Sequence, residues 1–167
     1  MSKRDLTLDD VRAVMALQAE KPERETYKAV ERLAAETCGW RLLTILKYVE
    51  EDGVVERISS SDEAAYPLGG RKPLDKIESS HGAMEHGGIF LAGTKEQVKE
   101  AFYDHELIFS LGITAIMNVP IRHAGDRLGT INFCGEEGDY HDREMQIGRV
   151  LAGLLVPALL EAVDAAD

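Results

Sequence analysis

The chain has 167 residues, enough for one domain that buries a core of its own without help from disulfides or metals. Its 30 acidic against 19 basic side chains give a formal net charge of −11, and no cluster of lysines or arginines stands against that balance. Nucleic acid and anionic membrane surfaces are therefore poor partners, and the charge serves either solubility or an acidic docking surface.

The opening MSKRDLTLDD has no apolar core of a signal peptide, and the longest apolar run, VLAGLLVPALLEAV, is broken by Pro157. Neither a leader nor a membrane span is read, and a cytoplasmic protein is expected. Thr7 with Asp9 and Asp10 starts a first helix, which Lys21-Pro22 stops. Tyr27, Val30, Leu33 and Ala34 share the stripe of a second helix, closed by Gly39. From Trp40 the period changes to that of strands, and WRLLTILKYVEEDGVVERISS reads as two of them around Glu51-Asp52-Gly53. Trp40, Leu42, Thr44, Leu46 and Tyr48 share one face of the first, where Tyr48 can offer an aromatic wall with a polar tip.

Prolines and glycines punctuate Ser61 to Ile89, with a short helix expected near Ser79 to His86 and a minimal strand over residues 89–91. Thr94 and Gln97 form a capping box for TKEQVKEAFYD, and a further turn of helix ends at Gly112. Next comes SLGITAIMNVPIRHAGDRLGTINFCG, a hairpin with asparagines in mid-strand, where β-propensity disfavours them. Its odd positions, Ile113 to Ile121 and then Gly129, Ile131 and Phe133, make a core face; its even positions, Thr114 to Pro120 and then Leu128 to Cys134, make a mixed one. A three-residue loop, His123-Ala124-Gly125, keeps both sets sorted by pairing Arg122 with Asp126, and so sets Asn118 opposite Thr130 with Asn132 diagonal to it. A polar loop then leads to a final helix from about Asp142 to Ala165, apolar over a wide arc.

The order of elements gives an α+β fold: an antiparallel sheet with the terminal helices on one face and short lid helices on the other, enclosing a small pocket. Asn118, Thr130, Asn132, Tyr48, Asp104 and His105 are the candidate ligand-binding residues. Alternatively the asparagine amides are solvated or tie down the irregular middle segment. Asp104-His105-Glu106 lies in the lid, but neighbours on a helix do not face one another, so it is not automatically a catalytic dyad. His81 and His86, five apart, lack the spacing of a helical metal pair, and no metal or cofactor is assigned. Cys38 and Cys134 match no C-x-x-C or Cys/His metal spacing and are read as reduced thiols.

SLGITAIMNVPI, the turn, GDRLGTINF, the acidic loop, Tyr140 and the terminal helix resemble a GAF domain, and the resemblance spans roughly Glu23 to Ala165. It implies a GAF/PAS-like sheet over residues 23–167, with residues 1–22 as an N-terminal helix packing on or pairing with it. It also implies a small molecule held between sheet and lid, and homodimerisation through the terminal helices. Cys38 and Cys134 are each followed by glycine, unlike the Cys-His of bilin-binding relatives, and TKEQVKEAFYDHE lacks the Asn-Lys and Asp-Glu pairs of cyclic-nucleotide phosphodiesterase relatives. The segment His81 to Leu111 has no cysteine, which disfavours free methionine sulfoxide reductase activity. The expected function is a sensory or regulatory GAF module without a linked effector domain, its ligand unidentified and selected by shape and hydrogen bonds rather than by formal positive charge. The competing readings are a small enzyme using His105 and Asp104, and an interaction module whose pocket is filled by side chains.

Overall fold

The computed structural model describes residues 2–76 and 88–164. Helix α1 (Leu8–Glu20) begins in a reciprocal capping box between Thr7 and Asp10, and α2 (Glu23–Thr37) ends ahead of Gly39, whose positive φ of 75° only glycine adopts without strain. Strand β1 (Leu42–Val49) turns through a short 3-10 segment and the left-handed Gly53 into β2 (Val54–Ser60). A three-residue strand, β3 (Arg71–Pro73), follows, which the loop-like composition of that stretch conceals. After β4 (Phe90–Ala92) come α3 (Lys95–Ala101), capped by Thr94 and Gln97 as expected, and α4 (His105–Ser110). The hairpin strands β5 (Ala115–His123) and β6 (Asp126–Gly135) lead to α5 (Asp142–Asp164). The helix expected near Ser79 to His86 lies outside the described residues.

All strand pairs are antiparallel, in the order β3-β2-β1-β6-β5-β4. One sheet face carries Leu43, Ile45, Met117, Val119, Ile121, Ile131 and Phe133 into a core shared with α1, α2 and α5. Val14 of α1 is buried in that core, and Trp40 packs at its margin, donating its Nε1 to the Glu31 carbonyl at 3.1 Å. The opposite face has a smaller core in which Leu42, Ile116 and Cys134 meet Tyr66, Val98, Ile108 and Ile113. Ile113 therefore belongs to the lid side, because it precedes the strand and its alternation does not bind it.

The hairpin differs from the expected alignment. Its loop has two residues, Ala124 at φ 51° and Gly125 at φ 89°, a pair of left-handed positions that suits a tight turn between twisted strands. His123 pairs with Asp126 and Arg122 with Arg127; a bulge at Ile121/Arg122 then passes over Leu128, so that Ile121 meets Gly129. One extra residue on β6 reverses its parity. The sorting of odd and even positions thus survives a two-residue loop, and Leu128 joins the helical core instead of the mixed face. Asn118 stands opposite Asn132, and Thr130 opposite Pro120.

Helix α5 also runs straight through Pro157, which the sequence treats as a break in the apolar run. Pro157 leaves the Gly153 carbonyl without its intrahelical partner, and Gly153 brings no side chain to that turn. Residues Asp142–Ala162 are long and apolar enough to cross a membrane, but Leu151, Leu155 and Leu159 of this stretch are fully buried against the sheet and α2. That burial accounts for the apolar arc.

Candidate functional site

The pairing of β4, β5, β6, β1 and β2 sets Phe90, Asn118, Asn132, Thr44 and Ser60 in one row across the sheet. At its centre lies a polar strip on the lid-facing side. Leu46 and Thr130 stand in the row on one flank, Leu42, Cys134 and Ile116 in the row on the other. A bulge at Ile45/Leu46 sets Arg57 across from Leu46, and Val55 across from Tyr48, so both β2 side chains join the same face.

Over this floor lies a cavity of ≈ 100 Å³, roofed by Phe102, Tyr103, Asp104 and Ile108 of the lid and walled by Arg57, Tyr66 and Lys72. Phe90 and Phe102 meet edge to face with centroids 5.9 Å apart at its lid side.

The polar groups around the cavity are unevenly satisfied. Asn132 Nδ2 donates to Thr44 Oγ1 at 3.1 Å, which leaves its Oδ1 buried and unpaired. The Asn118 side chain, 8% exposed, makes no hydrogen bond among the described residues. Lys72 Nζ reaches Asp104 Oδ2 at 3.4 Å, the Tyr66 phenol lies near the same carboxylate, and Asp104 Oδ1 has no hydrogen-bond partner among the described residues. Arg57, 7% exposed, gives Nη1 to the Pro67 carbonyl at 2.9 Å and stacks its guanidinium 4.9 Å from the Tyr66 ring centroid, with Nε unpaired. No carboxylate pairs with Arg57 among the described residues, and desolvation by burial lowers its pKa. Burial pushes the Cys134 thiol up to about 12, so it sits at the cavity as a neutral group rather than a nucleophilic thiolate.

Five of the six residues singled out from sequence, Asn118, Asn132, Thr130, Tyr48 and Asp104, line this one cavity. His105 does not. Its Nδ1–H donates to the Phe102 carbonyl at 2.9 Å and its ring lies 5.7 Å from that of Phe109, because the first turn of α4 directs it along the lid rather than beneath it. Arg57, Tyr66, Lys72 and Lys76 are polar cavity groups that the sequence reading did not single out, and three of them bring formal positive charge to a site where selection by shape and hydrogen bonds was expected. The available signal was Arg57 sharing strand parity with Val55; Lys72 lies in β3, which no alternation announces.

No protein-family model matches the sequence, and no curated protein matches it. Solved structures do match. The GAF domain from an Acinetobacter phosphoenolpyruvate-protein phosphotransferase superposes with a TM-score of 0.75 at 13% identity, covering 99% of this chain and 99% of that one. The phycoerythrobilin-bound GAF domain from a cyanobacterial phytochrome gives 0.67 at 16% identity, covering 95% and 98%. The GAF domain of a two-component sensor histidine kinase from Bacillus halodurans gives 0.66 at 11%, covering 98% and 100%. At these identities the likeness is one of fold, and it extends over nearly the whole of each chain.

Proposed function

From the GAF domain fold of this chain we propose a sensory or regulatory module that binds a small molecule in the cavity between the sheet and the lid. One observation carries the reading: Arg57 Nε, Asp104 Oδ1, Asn118 Oδ1 and Asn132 Oδ1 are all buried, all unpaired among the described residues, and all on residues lining the same cavity. An unsatisfied buried polar group costs on the order of 1–3 kcal/mol. Four of them weigh heavily against the roughly 5–15 kcal/mol by which a whole domain is stable. Groups of this cost gathered at one place fit a site whose partners arrive with a ligand.

The same strands offer a route from occupancy to the helices. Met117 and Val119 flank Asn118 in sequence and point to the other face, where a Cβ on Gly148 of α5 would lie 2.9 Å from Val119 Cγ2 and 3.4 Å from Met117 Cε. A ligand that moves β5 would therefore press directly on α5. Two of the superposing domains come from a sensor histidine kinase and a phytochrome, which accords with such a role. The partner proposed for α5 and α1 is a second copy of the chain, supported by the exposed apolar side chains of Leu8, Met15 and Val150 on those helices.

Thermal-shift screening of the purified protein against a library of small metabolites tests the binding. At least one compound should raise the melting temperature by several degrees, and Asn118→Ala should abolish that rise while the variant remains folded. Stabilisation by no compound would refute the reading.

A further inference from the structure

The cavity's unpaired groups are of two kinds. Arg57 is a cation, 7% exposed, with an unpaired N–H and no ion pair among the described residues, although Asp104 lies across the same cavity. Asp104 Oδ1, Asn118 Oδ1 and Asn132 Oδ1 are acceptors without donors among the described residues. A buried guanidinium is matched best by a planar anion that can take its N–H groups, which among small organic ligands is a carboxylate. Buried carboxylate and amide oxygens are matched by a group with several N–H donors, which an ammonium supplies. The salt bridge from Lys72 to Asp104 Oδ2 leaves the other oxygen of that carboxylate for the ligand.

Resting on the small-molecule reading above, we infer that the ligand is a small zwitterion, an α-amino acid of glycine-to-serine size. Its carboxylate meets Arg57, and its ammonium meets Asp104, Asn118 and Asn132. Volume sets the scale: a cavity of ≈ 100 Å³ suits a molecule of roughly five to seven non-hydrogen atoms. Leu42, Ile108, Ile113 and Ile116 supply the apolar wall for a short side chain. Shape and hydrogen bonding alone would admit neutral compounds of the same size; the buried guanidinium, which makes no ion pair among the described residues, disfavours them, because a neutral occupant shuts out water and leaves its Nε–H without an anionic acceptor.

Isothermal titration of the full chain with glycine, L-alanine and L-serine, against propionate, ethylamine and N-acetyl-L-alanine, tests the inference. The amino acids should bind, with the best of them at least tenfold tighter than any compound lacking one of the two charges. Asp104→Asn, nearly isosteric, should weaken the best amino acid about tenfold and leave propionate unchanged. Arg57→Met should weaken both acids about a hundredfold. Propionate binding as tightly as L-alanine would overturn the inference, and the ligand series needs no variant to show it. Amino acids that fail to bind while another metabolite stabilises the protein would overturn the zwitterion and leave the binding site standing; failure of every compound would remove both.

Discussion

Arg57 is held in place by a residue that has no side chain. A Cβ on Gly70 would fall inside contact distance of Arg57 Nη1 and 3.3 Å from the Pro67 carbonyl, the group to which that guanidinium donates. Gly70 does not have the positive φ that excludes other residues, so Gly70→Ala displaces the guanidinium without straining the backbone. The variant should melt within a few degrees of the parent yet lose most of the stabilisation given by any compound found in the thermal-shift screen. Retention of the full shift would show that Arg57 does not meet the ligand. At this scale the sequence is legible where alternation reports a side chain's face, as for Asn118, Asn132, Thr130 and Tyr48. It is silent on Arg57 and Lys72, whose positions depend on a bulge and on a strand of three residues. His105 lies outside the cavity lining, because the first turn of α4 decides where the ring points and a histidine beside an acid in sequence does not report it.

Among elements, the β5–β6 hairpin decides the site, since one ladder holds the helical core on one side and the asparagines on the other. The faces were readable from parity, but the pairing was not, because a two-residue loop with a bulge and a three-residue loop sort the faces alike. The structure's alignment makes a prediction that the expected one does not. With Gly129 opposite Lys47 on β1 and Ile121 on β5, a Cβ there would run into the Leu46 backbone carbonyl and lie 3.2 Å from Leu159 Cδ1. Backbone cannot rotate aside as a side chain can. Gly129→Ala should therefore cost about 1–3 kcal/mol, read as a lower urea midpoint, while Gly125→Ala, whose Cβ would meet open space, acts only through its positive φ. Equal midpoints for Gly129→Ala and the parent would contradict the register.

For the molecule as a whole, buried protons tie stability to pH. Burial raises the thiols of Cys38 to about 11 and Cys134 to about 12 from an ordinary 9.0, and raises the phenols of Tyr27, Tyr66 and Tyr140 as well. The folded state keeps protons that the unfolded chain releases, so this contribution is complete below pH 9 and is lost as pH climbs from 9 towards 12. The urea midpoint should accordingly be lower at pH 10.5 than at pH 8.5, and a Cys38→Ala, Cys134→Ala double variant should show a smaller drop. Light scattering at micromolar concentration should return the mass of a dimer, about twice 18.4 kDa; a monomer mass would remove the second copy from the terminal helices.

The central claim is that the Asn118 amide faces a ligand site and holds nothing together among the described residues of the free protein. An amide that serves no structural partner is a net cost, and an apolar side chain of similar volume removes that cost. The most direct measurement is the urea midpoint of the ligand-free Asn118→Leu protein. The account predicts a midpoint equal to or above that of the parent, together with complete loss of stabilisation by any bound compound. A midpoint lower by the equivalent of about 1–3 kcal/mol would show that the amide carries a hydrogen bond needed by the fold, and would contradict it.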